Sequence, residues 1–155
     1  MPPPLSLERN ETMAEFVTSA TQTVAAGQNV LFASAAVCGN CSIVHRAGSG
    51  VVMLRGSNNK CNTARYKVTF GGNITVATGG TVGPVSVAIA LNGEPLYSST
   101  ATATPAAIGD LFNVFAEAII AVPYDCCLNI AVENVSDPAT QIDVANANLI
   151  VERIC

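Results

Sequence analysis

Residues 84–100 read PVSVAIALNGEPLYSST. Val85, Val87, Ile89 and Leu91 alternate with Ser86, Ala88 and Ala90, so one face of this segment is apolar and the other is small. Asn92-Gly93 follows, a pair suited to the two successive positive φ angles of a tight hairpin. The stretch therefore predicts a half-buried strand, a turn and a return strand running to Thr100. The same period of two recurs outward in both directions. In ARYKVTFGGNITV, Tyr66, Val68, Phe70, Ile74 and Val76 keep one phase through Gly71-Gly72, which predicts one long strand with a glycine kink. Leu111 to Val122 is an apolar run whose Ala and Glu content permits a helix, but its β-branched residues and the following Pro123 favour a strand. Leu128, Ile130 and Val132 alternate with Asn129, Ala131 and Glu133, and a last strand spans 142–154. Shorter pieces are expected at 15–20, 28–32, 42–46 and 51–55. About ten strands without a crossover helix predict an all-β antiparallel two-sheet sandwich of jelly-roll type, a single domain over residues 13–155. Residues 1–12, MPPPLSLERNET, have no apolar centre for a signal peptide and are expected to be a disordered or peripheral extension.

At 155 residues the chain is long enough to bury a core. Hydrophobic residues make up 50% but aromatics only 5%, so that core must be built from Val, Ile, Leu and Ala. Charged residues are 12%, roughly half the usual share, which leaves Thr, Ser, Asn, Gly and Ala to cover the surface. Such a surface suits a subunit packed against copies of itself or a particle component. The net charge of −4, without a basic stripe, argues against nucleic acid as a partner. No apolar run approaches the ~20 residues of a spanning helix, so no membrane partner is expected.

Catalytic and cofactor signals are weak. His45 is the lone histidine, and a Cys-His nucleophile would need a partner and an oxyanion hole. Asp110, Glu117, Asp125, Glu133, Asp137, Asp143 and Glu152 are scattered one per element, which reads as solvated single charges. The Gly71-Gly72 and Gly79-Gly80 pairs lack the Lys-Ser/Thr of a phosphate loop. No enzyme activity, cofactor or metal is expected. Six cysteines stand in the chain: a Cys38-x-x-Cys41 pair, the adjacent Cys126 and Cys127, and the isolated Cys61 and Cys155. Loop or buried thiols, a disulfide between loops and a metal site are the three readings. The adjacent pair is poor at convergence, because neighbouring strand side chains point to opposite faces.

The clearest positional signal is a set of small and apolar residues on faces that should meet solvent: Ala88 and Ala90, then Ala116, Ala118 and Ile120, with Ala131, Ala145 and Ala147. Alanine on an outer sheet face allows close approach of another subunit, so these eight are the expected self-interface.

With this strand order the chain resembles the jelly-roll domains of the C1q and tumour-necrosis-factor superfamily. The residues that carry the likeness are ARYKVTFGGNITV, VSVAIALNGEPL, FNVFAEAIIAV, CCLNIAVENVS and ANLIVERI. It is similar in particular to the C1q/tumour-necrosis-factor-like proteins of gut Firmicutes and their prophages, through GNCSIVHR, GTVGPVSVAIALNGEP and NANLIVER. The resemblance implies a homotrimer with one sheet of each subunit packed round a three-fold axis. It also implies a structural role as a phage virion component, a capsid decoration or head-fibre protein made in the bacterial cytoplasm and bound to a capsid or other particle surface. The alternative is a carbohydrate- or receptor-binding module on a bacterial or particle surface, which a grouping of Tyr97, Asn113, Tyr124 and Asp125 would support.

Overall fold

The structure, a computed structural model, describes residues 13–37, 42–56, 63–137 and 139–154. Among them are twelve strands: β1 (Met13–Thr18), β2 (Gln22–Val24), β3 (Ser34–Val37), β4 (Ile43–His45), β5 (Val52–Arg55), β6 (Ala64–Val76), β7 (Val85–Leu91), β8 (Glu94–Pro95), β9 (Ala101–Ala103), β10 (Phe112–Val122), β11 (Cys127–Asn134) and β12 (Ile142–Arg153). They form two antiparallel sheets. One runs β10-β6-β12-β1-β3, with β2 continuing the β1 edge of β12; the other runs β4-β5-β11-β7-β8, with β9 further along the same edge of β7.

The core follows from the alternation. Tyr66, Val68, Phe70, Ile74 and Val76 on β6 are all fully buried, and they face Val85, Val87 and Ile89 of β7 and Ile130 and Val132 of β11 across the sandwich. Phe16, Phe32, Leu54, Ile142 and Leu149 complete it. At about 25 cal/mol per Å² of apolar surface, this aliphatic layer is the main stabilising term. The Tyr66 hydroxyl is not wasted inside: it donates to the Arg55 carbonyl at 2.6 Å, tying the first sheet to β5 of the second. Tyr66→Phe is expected to cost about 1–2 kcal/mol in a urea denaturation curve, because it strands that acceptor without changing the packing.

The Asn92-Gly93 hairpin forms as its residues require, with φ of +51° and +86°. β6 runs unbroken through Gly71-Gly72, and the irregularity lies instead in its neighbour β12, whose register shifts between Ala145 and Asn148 with Asn146 at φ +55°. The single return strand expected to reach Thr100 is divided. Pro95 ends β8, and Tyr97–Ser99 form one 3₁₀ turn before β9 resumes. Ser99 bridges the break: its hydroxyl accepts from the Ile89 amide at 2.9 Å and donates to the Leu96 carbonyl at 2.6 Å, keeping the edge of β7 hydrogen-bonded. Residues 28–32 make an isolated bridge, Asn29 to Glu133, in place of the expected strand, while Ser34–Val37 pairs with β1 as an unanticipated edge strand.

Where β5 leaves the second sheet, a Cβ at Gly56 would stand 2.0 Å from the Pro123 carbonyl oxygen and 3.1 Å from that of Cys126. Both contacts are backbone and neither can swing away. Gly56→Ala is therefore expected to destabilise by about 2–3 kcal/mol, read as a lower urea midpoint with an unchanged slope.

Candidate functional site

The residues expected to form an interface divide by the direction in which they point. Ala116 and Ile120 on β10 and Ala147 on β12 belong to the internal core, and Ala118 packs against it. These positions are corrected: the β10 alternation runs in the opposite phase, with Val114, Ala116, Ile120 and Val122 inward. Asn113 and Glu117 carry the signal for that phase, since a strand places its charge and its amide toward water. Ala147 turns inward because the β12 bulge shifts the period after Ala145. Ala88, Ala90 and Ala131 do alternate with core residues, yet they are 0%, 1% and 7% exposed within the chain itself, as is Ala145 at 6%. Their methyl groups lie at the bottom of the sheet surface, below longer neighbours.

The outward face of β10 instead presents Phe115, 60% exposed, and Ile119, 63% exposed. Register extends this into a three-row surface across the sheet. Phe115, Gly71, Asn148 and Val17 form one row; Glu117, Thr69, Ile150 and Glu15 the next; Ile119, Lys67, Glu152 and Met13 the third. Gly71 has no side chain, and the Asn148 amide reaches over it, its Oδ1 2.8 Å from where a Cβ would stand. Polar groups between the apolar ones are paired: Lys67 Nζ lies 3.3 Å from Glu117 Oε2, the Thr69 hydroxyl donates to the same oxygen at 3.1 Å, and Asn148 Nδ2 donates to Glu15 Oε2 at 3.1 Å. One edge is an amide ladder, in which Asn113 donates to Asn73 Oδ1 and Asn73 donates to Asn146 Oδ1, both at 3.2 Å. The result is a sheet face with exposed large apolar side chains among polar ones that are paired within it, except Glu152, which has no side-chain partner among the described residues. Of five phenylalanines in the chain, two, Phe112 and Phe115, stand exposed on this strand. Phe115, with Ile119, leaves two large apolar side chains on the outward face of β10 uncovered by the chain itself.

Other candidate residues do not assemble into a reactive site. The His45 ring packs on Phe16 with centroids 4.5 Å apart, and its Nε2 lies 2.9 Å from the Ser49 carbonyl oxygen. Among the described residues no three His, Cys, Asp or Glu side chains are grouped so as to hold a metal. Cys126 and Cys127 are free thiols, the first half-buried against the core and the second exposed; Cys38, Cys41, Cys61 and Cys155 lie outside the described residues, as does the 1–12 extension. Asn113 sits at the start of β10, and Tyr124 and Asp125 follow its other end, so this trio does not converge; Tyr97 is on the 3₁₀ turn beside β7. No helix among the described residues is long and apolar enough to cross a membrane.

No protein-family model matches the chain, and no curated protein matches it. Solved structures do. The globular domain of zebrafish complement 1qA protein aligns over 93% of this chain and 98% of its own with a TM-score of 0.61 at 10% identity. The fold is a C1q/TNF-like jelly roll. The Eiger TNF of S. frugiperda aligns over 95% of this chain and 94% of its own with a TM-score of 0.63 at 12% identity. Murine APRIL at pH 5.0 gives 0.61 at 8% identity over 93% and 99%. Near-complete coverage on both sides means that the C1q/TNF-like sandwich accounts for almost the whole chain, while identities this low carry the architecture and nothing finer.

Proposed function

We propose that this chain is a non-enzymatic structural subunit that forms a homotrimer through the outward face of its β10-β6-β12-β1 sheet, and that the trimer is a bacteriophage virion component of the capsid-decoration or head-fibre type. The observation that carries the assembly reading is the exposed Phe115 and Ile119 pair, continued by Ile150, Val17 and Met13. Covering each of the two large side chains releases about 1.5–3 kcal/mol, and Lys67, Glu117, Thr69 and Asn148 keep their partners when water leaves, while the Glu15 and Glu152 carboxylates must stay at the wet rim or be met by the second copy. A second copy is the occupant that the composition favours: at 12% charge, few exposed ionic groups have to be desolvated on contact. The C1q/TNF-like architecture is compatible with this arrangement, and the scatter of the chain's ionisable residues supports a role in assembly and not in catalysis.

The virion assignment rests on the sequence likeness to prophage-encoded proteins. Its test is a mass-spectrometric inventory of density-purified phage particles from a strain carrying the gene, with immunogold labelling of the intact particles. The chain is expected on the particles, in copy numbers that are multiples of three. Recovery only in the cell-envelope fraction would contradict the virion role and favour the bacterial-surface module.

A further inference from the structure

The other sheet has an open cleft of about 480 Å³ on its outward side, lined by Asn29, Val51, Asn92, Asn129, Ala131 and Glu133 among others. Residue size makes it. Ala131, on the outward phase of β11, raises only a methyl above the sheet, so the floor is low. Both walls are pinned to β11 by backbone hydrogen bonds. On one side Gly27 donates to the Asn134 carbonyl at 2.9 Å and Val30 to that of Val132 at 2.8 Å. On the other, the Asn92 amide donates to the Asn129 carbonyl at 2.8 Å, and the Asn129 amide donates to Asn92 Oδ1 at 2.9 Å. The cleft thus exists before any ligand arrives.

Apart from Asn92 Oδ1, its polar side-chain atoms are unused among the described residues. Asn29, Asn129 and Glu133 make no side-chain hydrogen bond or ion pair with any described residue, and the Nδ2 of Asn92 donates to none. Burial, and then the charge of Glu94 on β8, hold the Glu133 carboxyl above the ordinary carboxylate range, the mark of an acceptor short of donors. Among the described residues no Lys, Arg or His lines the cleft to supply them.

We propose that this cleft binds a neutral saccharide, its ring seated over Ala131 with Glu133 and the three asparagines taking its hydroxyl groups. The planar amides of Asn29 and Asn129 each offer a donor and an acceptor side by side, which matches vicinal hydroxyls, Asn92 adds its Nδ2 donor, and a carboxylate accepts from two hydroxyls at once. Ala131 and the exposed Val51 give the ring's C–H face an apolar strip. Competing classes fit less well. An anion meets the carboxylate, an apolar ligand leaves the side chains of Asn29, Asn129 and Glu133 and the Nδ2 of Asn92 without water or partner, and a bare cation leaves the amide donors unused. The cleft opens on the sheet opposite the Phe115 face, so it does not depend on the trimer and stays accessible within one.

The test is a titration of the ¹⁵N-labelled full chain with glucose, galactose, mannose, N-acetylglucosamine, N-acetylgalactosamine and glucuronic acid, followed by NMR. At least one neutral sugar is expected to give saturable shifts confined to the side-chain amides of Asn29, Asn92 and Asn129 and the backbone amides of 129–133, with glucuronic acid weaker than its neutral counterpart. Asn129→Ala and Glu133→Gln should each weaken binding about tenfold, and Asn113→Ala, on the other sheet, should leave it unchanged. No saturable shift with any neutral sugar overturns the proposal. So do shifts at the same resonances with ammonium or calcium chloride alone, which would make the cleft a cation site. These signals are local and report on the cleft whether the chain is a monomer or a trimer.

Discussion

Replacing Phe115 and Ile119 together by aspartate is expected to convert the proposed trimer to monomer and leave the subunit folded. Both side chains are more than half exposed in the isolated chain, at 60% and 63%, so the subunit's own core loses nothing when they change. Exposed substitutions of this kind alter folding stability by no more than about 0.5 kcal/mol. In the assembly the consequence is different. Two apolar side chains per subunit are lost from a covered surface, at roughly 1.5–3 kcal/mol each, and two charges are put in their place beside Glu117. The urea midpoint of the subunit at low concentration should stay near that of the parent chain while the solution mass falls to one third. Tyr97→Asp is the matched control: Tyr97 is 71% exposed beside the other sheet, and its loss should change neither quantity. A Phe115→Asp/Ile119→Asp chain that remains trimeric would show that the copies meet elsewhere.

The largest expected loss of folding stability from one substitution is at Asn134, in a position that touches no proposed partner. This side chain is 1% exposed, and every polar atom it has is used. Its Nδ2 donates to the Val24 carbonyl at 3.0 Å and to the Thr140 carbonyl at 2.8 Å; its Oδ1 accepts from the Ser136 amide at 3.0 Å and the Ser136 hydroxyl at 2.7 Å. Ser136 Oγ in turn accepts from the Ser86 amide at 3.0 Å. One residue at the end of β11 therefore joins β2 of the first sheet, the 135–141 connection and β7 of the second. Asn134→Leu keeps the branched skeleton, with somewhat larger volume, and strands two carbonyls, an amide and a hydroxyl, each costing about 1–3 kcal/mol when left dry. A loss of about 3–5 kcal/mol is expected in urea denaturation, a large part of the ~5–15 kcal/mol that holds a domain of this size. Asn134→Ala, which leaves room for a water, should cost less; equal losses would point to the volume and not to the hydrogen bonds.

Much of the architecture was legible because two stretches satisfy local and global demands together. Strand alternation in 64–76 and 85–91 matches the core faces seen in the structure, and Asn92-Gly93 turns where its residues allow positive φ. Legibility failed where a period of two is broken or duplicated. The β12 bulge around Asn146 shifts the phase within a run of alternating Asn and Ala that looks regular. Pro95 and Ser99 divide the return strand through a hydrogen bond between residues ten apart, which no local pattern announces. On β10 both faces are largely apolar, so hydrophobicity alone does not choose between them. Glu117 does choose, and giving its charge priority over the alanines places Phe115 and Ile119 outward. The polar cleft was not legible, because Asn29, Asn92 and Asn129 come together only through the pairing of 27–30 and the 92–93 turn with β11.

Light scattering coupled to size-exclusion chromatography, run on the full chain under reducing conditions, tests the assembly account most directly. A concentration-independent mass three times the 15.9 kDa of the chain is the predicted result. A clean monomer at the same concentrations would contradict it, and the exposed Phe115–Ile119 face would then have to serve a partner other than this chain.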